Sequence, residues 1–167
     1  HFNPSFRKLE DLSGVIDLPV LAVIPTMPKN NGGRQDNNKN QRLISIKEPA
    51  SMLTEQYRVL YGRIHKFNKR PSNNIFAVSS AVQNEGKTIT ALNLAVVMAR
   101  DFGKKTLLIE ADCKNPSILK YLGLKFPIDL VDVLLHKKDV HLAMARFAHD
   151  NLWILPVTKI VENSSGL

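Results

Sequence analysis

The chain of 167 residues suits one domain, or one with an appendage, and can bury about 70% of the surface its unfolded form would expose. An apolar share of 44% beside 23% charged residues excludes wholesale disorder, and the longest Pro-free apolar run, Leu94–Ala99, is far too short to span a bilayer. Lys and Arg outnumber Asp and Glu by 23 to 15, a net +8 that permits attraction to phosphates without choosing between nucleotide, nucleic acid and anionic lipid. Aromatics amount to 7% and do not interleave with the basic patches at Arg63–Arg70 and Lys29–Arg42, so no nucleic-acid partner is expected. The lone cysteine, Cys113, excludes an intrachain disulfide framework and a Cys-rich zinc site and fits a reducing compartment. Opening on His1 with no secretory apolar region, the sequence reads as a piece of a longer chain.

Phe6–Leu12 has the pattern of one or two helical turns, and Leu18–Pro25 (LPVLAVIP), bounded by prolines, reads as a strand. Residues 29–42 (KNNGGRQDNNKNQR) carry no apolar side chain and cannot offset the entropy of ordering, which marks a flexible linker. Ala50–Phe67 places Met52, Leu53, Tyr57, Leu60, Tyr61 and Ile64 at a near 3.6 period, predicting an amphipathic helix that Pro71–Asn74 ends. Ile75–Ser79 reads as a buried strand, followed by a helix from Gly86 through Arg100 to Gly103 and a second buried strand over Thr106–Ala111. Helical fragments are expected at Ser117–Leu122, Leu130–Leu135 and Val140–Ala148, then a third strand at Leu152–Val157. Strands separated by helices predict an α/β fold with a parallel sheet and right-handed crossovers.

The informative segment is Val78–Thr88 (VSSAVQNEGKT), set between a predicted strand and its helix. Backbone N–H groups of such a loop, with the positive end of the helix, wrap a phosphate chain. Gly86 leaves room for close approach, Lys87 offers a point charge, and the Thr88 hydroxyl suits Mg²⁺. Gly-Lys-Thr alone arises often by chance, and the pattern G-x-x-x-x-G-K-[ST] is imperfect here because Ala81 stands at its first glycine. The position between strand and helix is what gives the triplet meaning. The next strand ends in Glu110 and Asp112, which alternation puts on one side, at the carboxyl end where open α/β sheets bind ligands. Beside a phosphate loop, such carboxylates are expected to hold Mg²⁺ or its waters.

Other chemistry-bearing residues read as structural. His65, His136, His141 and His149 share no metal-ligand spacing. Asp129 and Asp132 are expected to cap or flank a helix, Trp153 to lie in the core and Cys113 to be a buried inert thiol.

These motifs together resemble the bacterial tyrosine kinases of exopolysaccharide and capsule export, within the deviant Walker (ParA/MinD-like) ATPases. The family's S-A-x-P-x-E-G-K-[ST] loop corresponds to Ser80–Thr88, with Gln83 at its proline, and its L-L-I-D-A-D-x-R-x-P motif to Leu107–Pro116. Asn93-Leu-Ala95, Gly103-Lys104 and Glu55-Gln-Tyr-Arg58 also match, the last like the start of the helix that mediates ring-like oligomers in the family. Leu18–Pro25 is similar to the segment that follows the second transmembrane helix of the associated chain-length-determinant domain. Departures are Glu110 at the first aspartate of the second motif, Lys114 at its arginine and Tyr61 at the second arginine of the oligomer motif. No Walker B strand ending in Asp follows Val157, and the tyrosines are Tyr57, Tyr61 and Tyr121 with no terminal cluster.

The resemblance implies a P-loop NTPase (SIMIBI-like) parallel sheet flanked by helices, C-terminally incomplete. It divides the chain into a juxtamembrane-like segment with a strand at 1–28, a flexible linker at 29–47 and the N-terminal part of a kinase or ATPase domain at 48–167. It implies phosphoryl transfer from ATP, with Mg²⁺, to protein tyrosine, at the cytoplasmic face of the bacterial inner membrane. Gln83, Asn84, Glu85, Gly86, Lys87, Thr88 and Ile89 would bind the nucleotide; Thr88, Glu110 and Asp112 the metal; Lys87, Glu110 and Asp112 would act in catalysis. The implied partners are further copies, through the Glu55/Arg58 helix, and the membrane chain-length-determinant domain. The alternatives are a ParA/MinD-like assembly ATPase and a degenerate, non-catalytic regulator of polysaccharide chain length. Without Walker B and a tyrosine tail, this stretch alone is expected to be inactive.

Overall fold

A computed structural model of the chain describes residues 18–25, 42–68 and 74–158. The expected helix at Phe6–Leu12 and most of the expected linker lie outside the described residues. In chain order the elements are α1 (Ile44–Lys47), α2 (Met52–Phe67), α3 (Lys87–Arg100), β1 (Thr106–Ile109), α4 (Ile118–Leu122), α5 (Leu130–His136), α6 (Val140–Ala143), β2 (Ala145–Phe147) and β3 (His149–Leu155). Among the described residues no helix is long and apolar enough to cross a membrane.

α3 is the axis of the molecule. Its apolar residues surround nearly the whole circumference, so it is buried on several sides at once. Leu94 and Val97 meet Ile44, Tyr57 and Tyr61 of α1 and α2. Leu92 meets Leu43, Ile118, Leu122 and Ile154, while Ala95, Val96 and Ala99 meet Leu152 of β3. Each fully buried Leu or Val contributes roughly 1.5–3 kcal/mol. Buried Asn93 ties α3 to α1: its Oδ1 accepts from Ser45 N at 2.9 Å, and its Nδ2 donates to Arg42 O and Ile89 O at 3.0 and 2.9 Å. Leu43 and Ile44, at the end of the expected linker, thus belong to the packed core.

α2 begins where Ser51 caps it, the hydroxyl accepting from Thr54 N at 3.2 Å. α5 begins in a capping box, Asp129 accepting from Asp132 N and Asp132 from Asp129 N, as the expectation for these two acids held. Asp129 also receives Thr158 N and its hydroxyl, fastening the chain beyond β3 to the start of α5.

The sheet has the order β1–β3–β2, with β1 parallel to β3 and β2 antiparallel to it. The parallel pair agrees with expectation; the wholly parallel sheet does not. Val140–Ala148, expected as a helix, is helical only to Ala143; Ala145–Phe147 then forms a hairpin with β3 through Ala148, whose φ of 58° reverses the chain. Trp153, expected in the core, is half-buried, with the Arg146 guanidinium 5.6 Å from its ring centroid.

Two expected strands are unpaired among the described residues. Residues 74–80 make no ladder, and Ile75 is 91% exposed. Apolar, β-branched sequence favours a strand only where a neighbouring backbone answers its hydrogen bonds. Leu18–Pro25 instead lies along α2, where Arg63 Nη1 donates to Val20 O and Leu21 O and Ile24 joins the Tyr57 cluster.

Candidate functional site

Ser80–Gly86 precedes α3 as an exposed turn. Ser80 Oγ donates to Val82 O at 2.8 Å, and Val82 N donates to Glu85 Oε2 at 3.2 Å, so the Glu85 side chain closes the loop on itself. Asn84 and Gly86 take left-handed conformations, φ 65° and 96°. A φ of 96° strains any side-chain-bearing residue, and an added Cβ at Gly86 would meet nothing within 4 Å; the glycine serves the backbone path. It also leaves the first turn of α3 with no side-chain cap. The N–H groups that open a helix have no intrahelical partner and attract anions.

The predicted nucleotide residues therefore differ in standing. Gln83, Asn84 and Glu85 are exposed, Gly86, Lys87 and Thr88 half-buried. Ile89 is 9% exposed and its side chain belongs to the interior, which leaves its backbone to face a ligand. Thr88 Oγ1 lies 2.8 Å from Ser117 Oγ. That contact joins the first turn of α3 to the connection that follows β1, where Asp112 lies. Ser117 is not among the predicted site residues; it stands at the start of α4, where its side chain makes no capping hydrogen bond.

The two carboxylates part company. Strand alternation was expected to point both the same way, but β1 ends at Ile109 and the alternation ends with it. Glu110 is 5% exposed, its Oε1 accepting from Ser117 N at 2.5 Å and Ile118 N at 2.9 Å, its Oε2 from Val157 N at 3.2 Å. Burial pushes the Glu110 carboxyl up; those three N–H groups pull it down, and nearby Asp112 adds to the rise. Asp112 is exposed and accepts from Asn115 N at 3.0 Å. Burial, helped by Asp112, Asp129 and Glu110, raises the Cys113 thiol, as an inert core thiol requires.

No group of three His, Cys, Asp or Glu side chains able to hold a metal occurs among the described residues. A nucleotide-bound Mg²⁺ draws most of its ligands from phosphates and water, so one hydroxyl and one carboxylate suffice from the protein. Thr88 and Asp112 offer a donor pair of that kind, whereas the Glu110 oxygens already accept from three backbone N–H groups.

Glu55 and Arg58 are engaged within the chain. Arg58 Nη1 donates to Glu55 Oε2 at 2.9 Å, Nε to Asp101 Oδ2 at 2.7 Å, and Nη2 to Pro49 O at 2.7 Å. The arginine thus pins α2 to the end of α3, and Arg100 and then Arg58 hold the Asp101 carboxyl below its usual range against the opposing effect of burial.

No family model matches the chain. It is 34% identical over 139 residues to the tyrosine-protein kinase YwqD of Bacillus subtilis, covering 83% of this chain and 56% of the relative. It is 32% identical over 118 residues to the succinoglycan biosynthesis transport protein ExoP of Rhizobium meliloti, covering 70% of this chain and 15% of that one. The kinase domain of the Escherichia coli tyrosine kinase ETK shares the fold, with a TM-score of 0.76 at 22% identity over 95% of this chain and 61% of that domain. The chain thus spans little more than half of the Bacillus kinase. In sequence, in fold and in the motifs from Ser80 to Pro116, the chain is similar to the bacterial tyrosine kinases.

Proposed function

We propose that the loop before α3 holds the triphosphate of ATP with Mg²⁺, and that the whole protein transfers phosphoryl groups to protein tyrosine in exopolysaccharide or capsule export. The observation that carries this reading is the Thr88–Ser117 contact, which sets the uncapped start of α3 against the segment bearing Asp112. The N–H groups of Lys87, Thr88 and Ile89 would face phosphate oxygens, and the Lys87 ammonium would neutralise the charge that develops on them. The Thr88 hydroxyl and the Asp112 carboxylate would hold the cation. Bound Mg-ATP supplies an activated γ-phosphoryl group, and transfer then asks of the protein chiefly position and charge. The names of relatives, a succinoglycan biosynthesis transport protein and a kinase of a cps region, support a role in polysaccharide systems; the inner-membrane setting beside a chain-length-determinant domain, and self-association through the α2 face bearing Glu55 and Arg58, extend that proposal.

A second reading, nucleotide binding without phosphoryl transfer, is favoured by Glu110, which turns inward at the place where the resembled family has an aspartate. Radiolabel transfer separates the two. Incubated with γ-³²P-ATP and Mg²⁺, the whole protein should acquire alkali-stable phosphotyrosine, and Lys87→Ala should not. Binding of ATP without label would support the second reading, and label undiminished in Lys87→Ala would contradict the assignment of the loop.

A further inference from the structure

Glu110 is the most enclosed acid near the loop, and its three donors come from two separate stretches of chain. Ser117 N and Ile118 N open α4; Val157 N belongs to the chain leaving β3. Glu110 N also donates to Leu155 O at 3.0 Å, so both ends of the residue hold β3 to the strand beside it. A carboxylate has room for about four acceptor contacts, and here three are filled by backbone with 5% of the residue exposed. The fixed backbone of Ser117 in turn presents the hydroxyl that meets Thr88 Oγ1 at 2.8 Å. An aspartate, one methylene shorter, reaches less far toward Ser117 and Val157.

We propose that Glu110 is a positioning residue, not a ligand of the cation: its carboxylate latches α4 and the end of β3 to β1 and, through Ser117, sets the Thr88 hydroxyl. The cation is left to Thr88 and the exposed Asp112. This rests on the nucleotide reading of the loop and assigns the two acids that follow β1 to different tasks. A buried carboxylate that accepts backbone N–H groups resists loss of its charge to an amide, because Gln would turn one N–H donor against another.

The test uses the whole chain and three variants, Glu110→Gln, Asp112→Asn and Ser117→Ala, with the double variant Glu110→Gln/Ser117→Ala. ATP is titrated once with Mg²⁺ and once with EDTA; thermal melting is followed without nucleotide. In wild type, the amide protons of Ser117, Ile118 and Val157 should lie downfield, exchange slowly and stay unmoved when Mg²⁺ alone is added. Asp112→Asn should weaken ATP about tenfold or more with Mg²⁺, leave the EDTA titration unchanged and melt as wild type does. Glu110→Gln should melt about 3–10 °C lower and, because the hydroxyl it sets is a ligand of the cation, weaken ATP mainly in the titration with Mg²⁺. That weakening should disappear in the Ser117→Ala background, a dependence that a merely structural role would not produce. Weaker ATP binding with Mg²⁺ in a Glu110→Gln protein that melts as wild type does would overturn the proposal, as would equal weakening with and without the Ser117 hydroxyl. Were wild type blind to ATP in both titrations, the nucleotide reading would fall and the claim on Thr88 with it, while the three amide signals would still decide the latch.

Discussion

Asn93 offers a stability test whose size follows from three hydrogen bonds. Its amide must be acceptor and donor together: Oδ1 for Ser45 N, Nδ2 for Arg42 O and Ile89 O. In Asn93→Ala the Ser45 N–H is stranded where water does not reach, since Ser45 and Asn93 are both 0% exposed. An orphaned buried donor costs about 1–3 kcal/mol, and the emptied amide volume adds roughly 1 kcal/mol. Arg42 is exposed and its carbonyl regains a partner from solvent. The sum, about 2–4 kcal/mol, is a large part of the ~5–15 kcal/mol that holds a domain folded. Urea unfolding followed by circular dichroism should show a lower midpoint with an unchanged slope, and melting should fall by about 5–15 °C. A loss below about 0.5 kcal/mol would refute the reasoning, because it would mean that Ser45 and α1 do not hang on this amide.

Two further predictions rest on side chains away from the loop. Burial alone would raise the Asp129 carboxyl, but the Thr158 hydroxyl and the N–H groups of Asp132, Thr158 and Val131 outweigh it and hold it below its ordinary value. Its stabilising contribution is therefore complete above about pH 4 and lost as pH falls through the depressed value. Urea midpoints at pH 5 and pH 3 should show that loss in wild type and a smaller one in Asp129→Asn; equal acid losses would contradict the assignment. Arg58→Ala removes contacts of partly exposed groups and should cost about 1 kcal/mol or less. If α2 also mediates self-association, the same variant should sediment as a smaller species than wild type, and identical sedimentation would reject that role for Arg58.

Periodicity reveals α2 because Tyr57 and Tyr61 repeat at helical spacing and are buried, while α3, apolar nearly all round, is legible from the Gly86 that opens it. Capping chemistry was equally local, so Asp129 and Asp132 were legible at the start of α5. What escaped depended on partners distant along the chain. Ile75–Ser79 has strand-forming residues, yet pairing is a property of two backbones, and the described residues supply no second one. Ala145–Phe147 pairs with β3 because Ala148 accepts a left-handed turn that no glycine or asparagine announces. At the site, Gly86, Lys87 and Thr88 were legible as a motif. The separation of Glu110 from Asp112 was not, because it turns on where β1 stops and on N–H groups offered by Ser117, Ile118 and Val157.

The central claim is that the uncapped start of α3 holds a nucleoside triphosphate. Calorimetric titration of the chain with ATP and Mg²⁺, beside Lys87→Ala, tests it most directly. Saturable one-site binding by wild type, weakened about 10- to 100-fold by loss of the ammonium, is the result predicted. Equal affinity in the two proteins, or no heat from either, would contradict it.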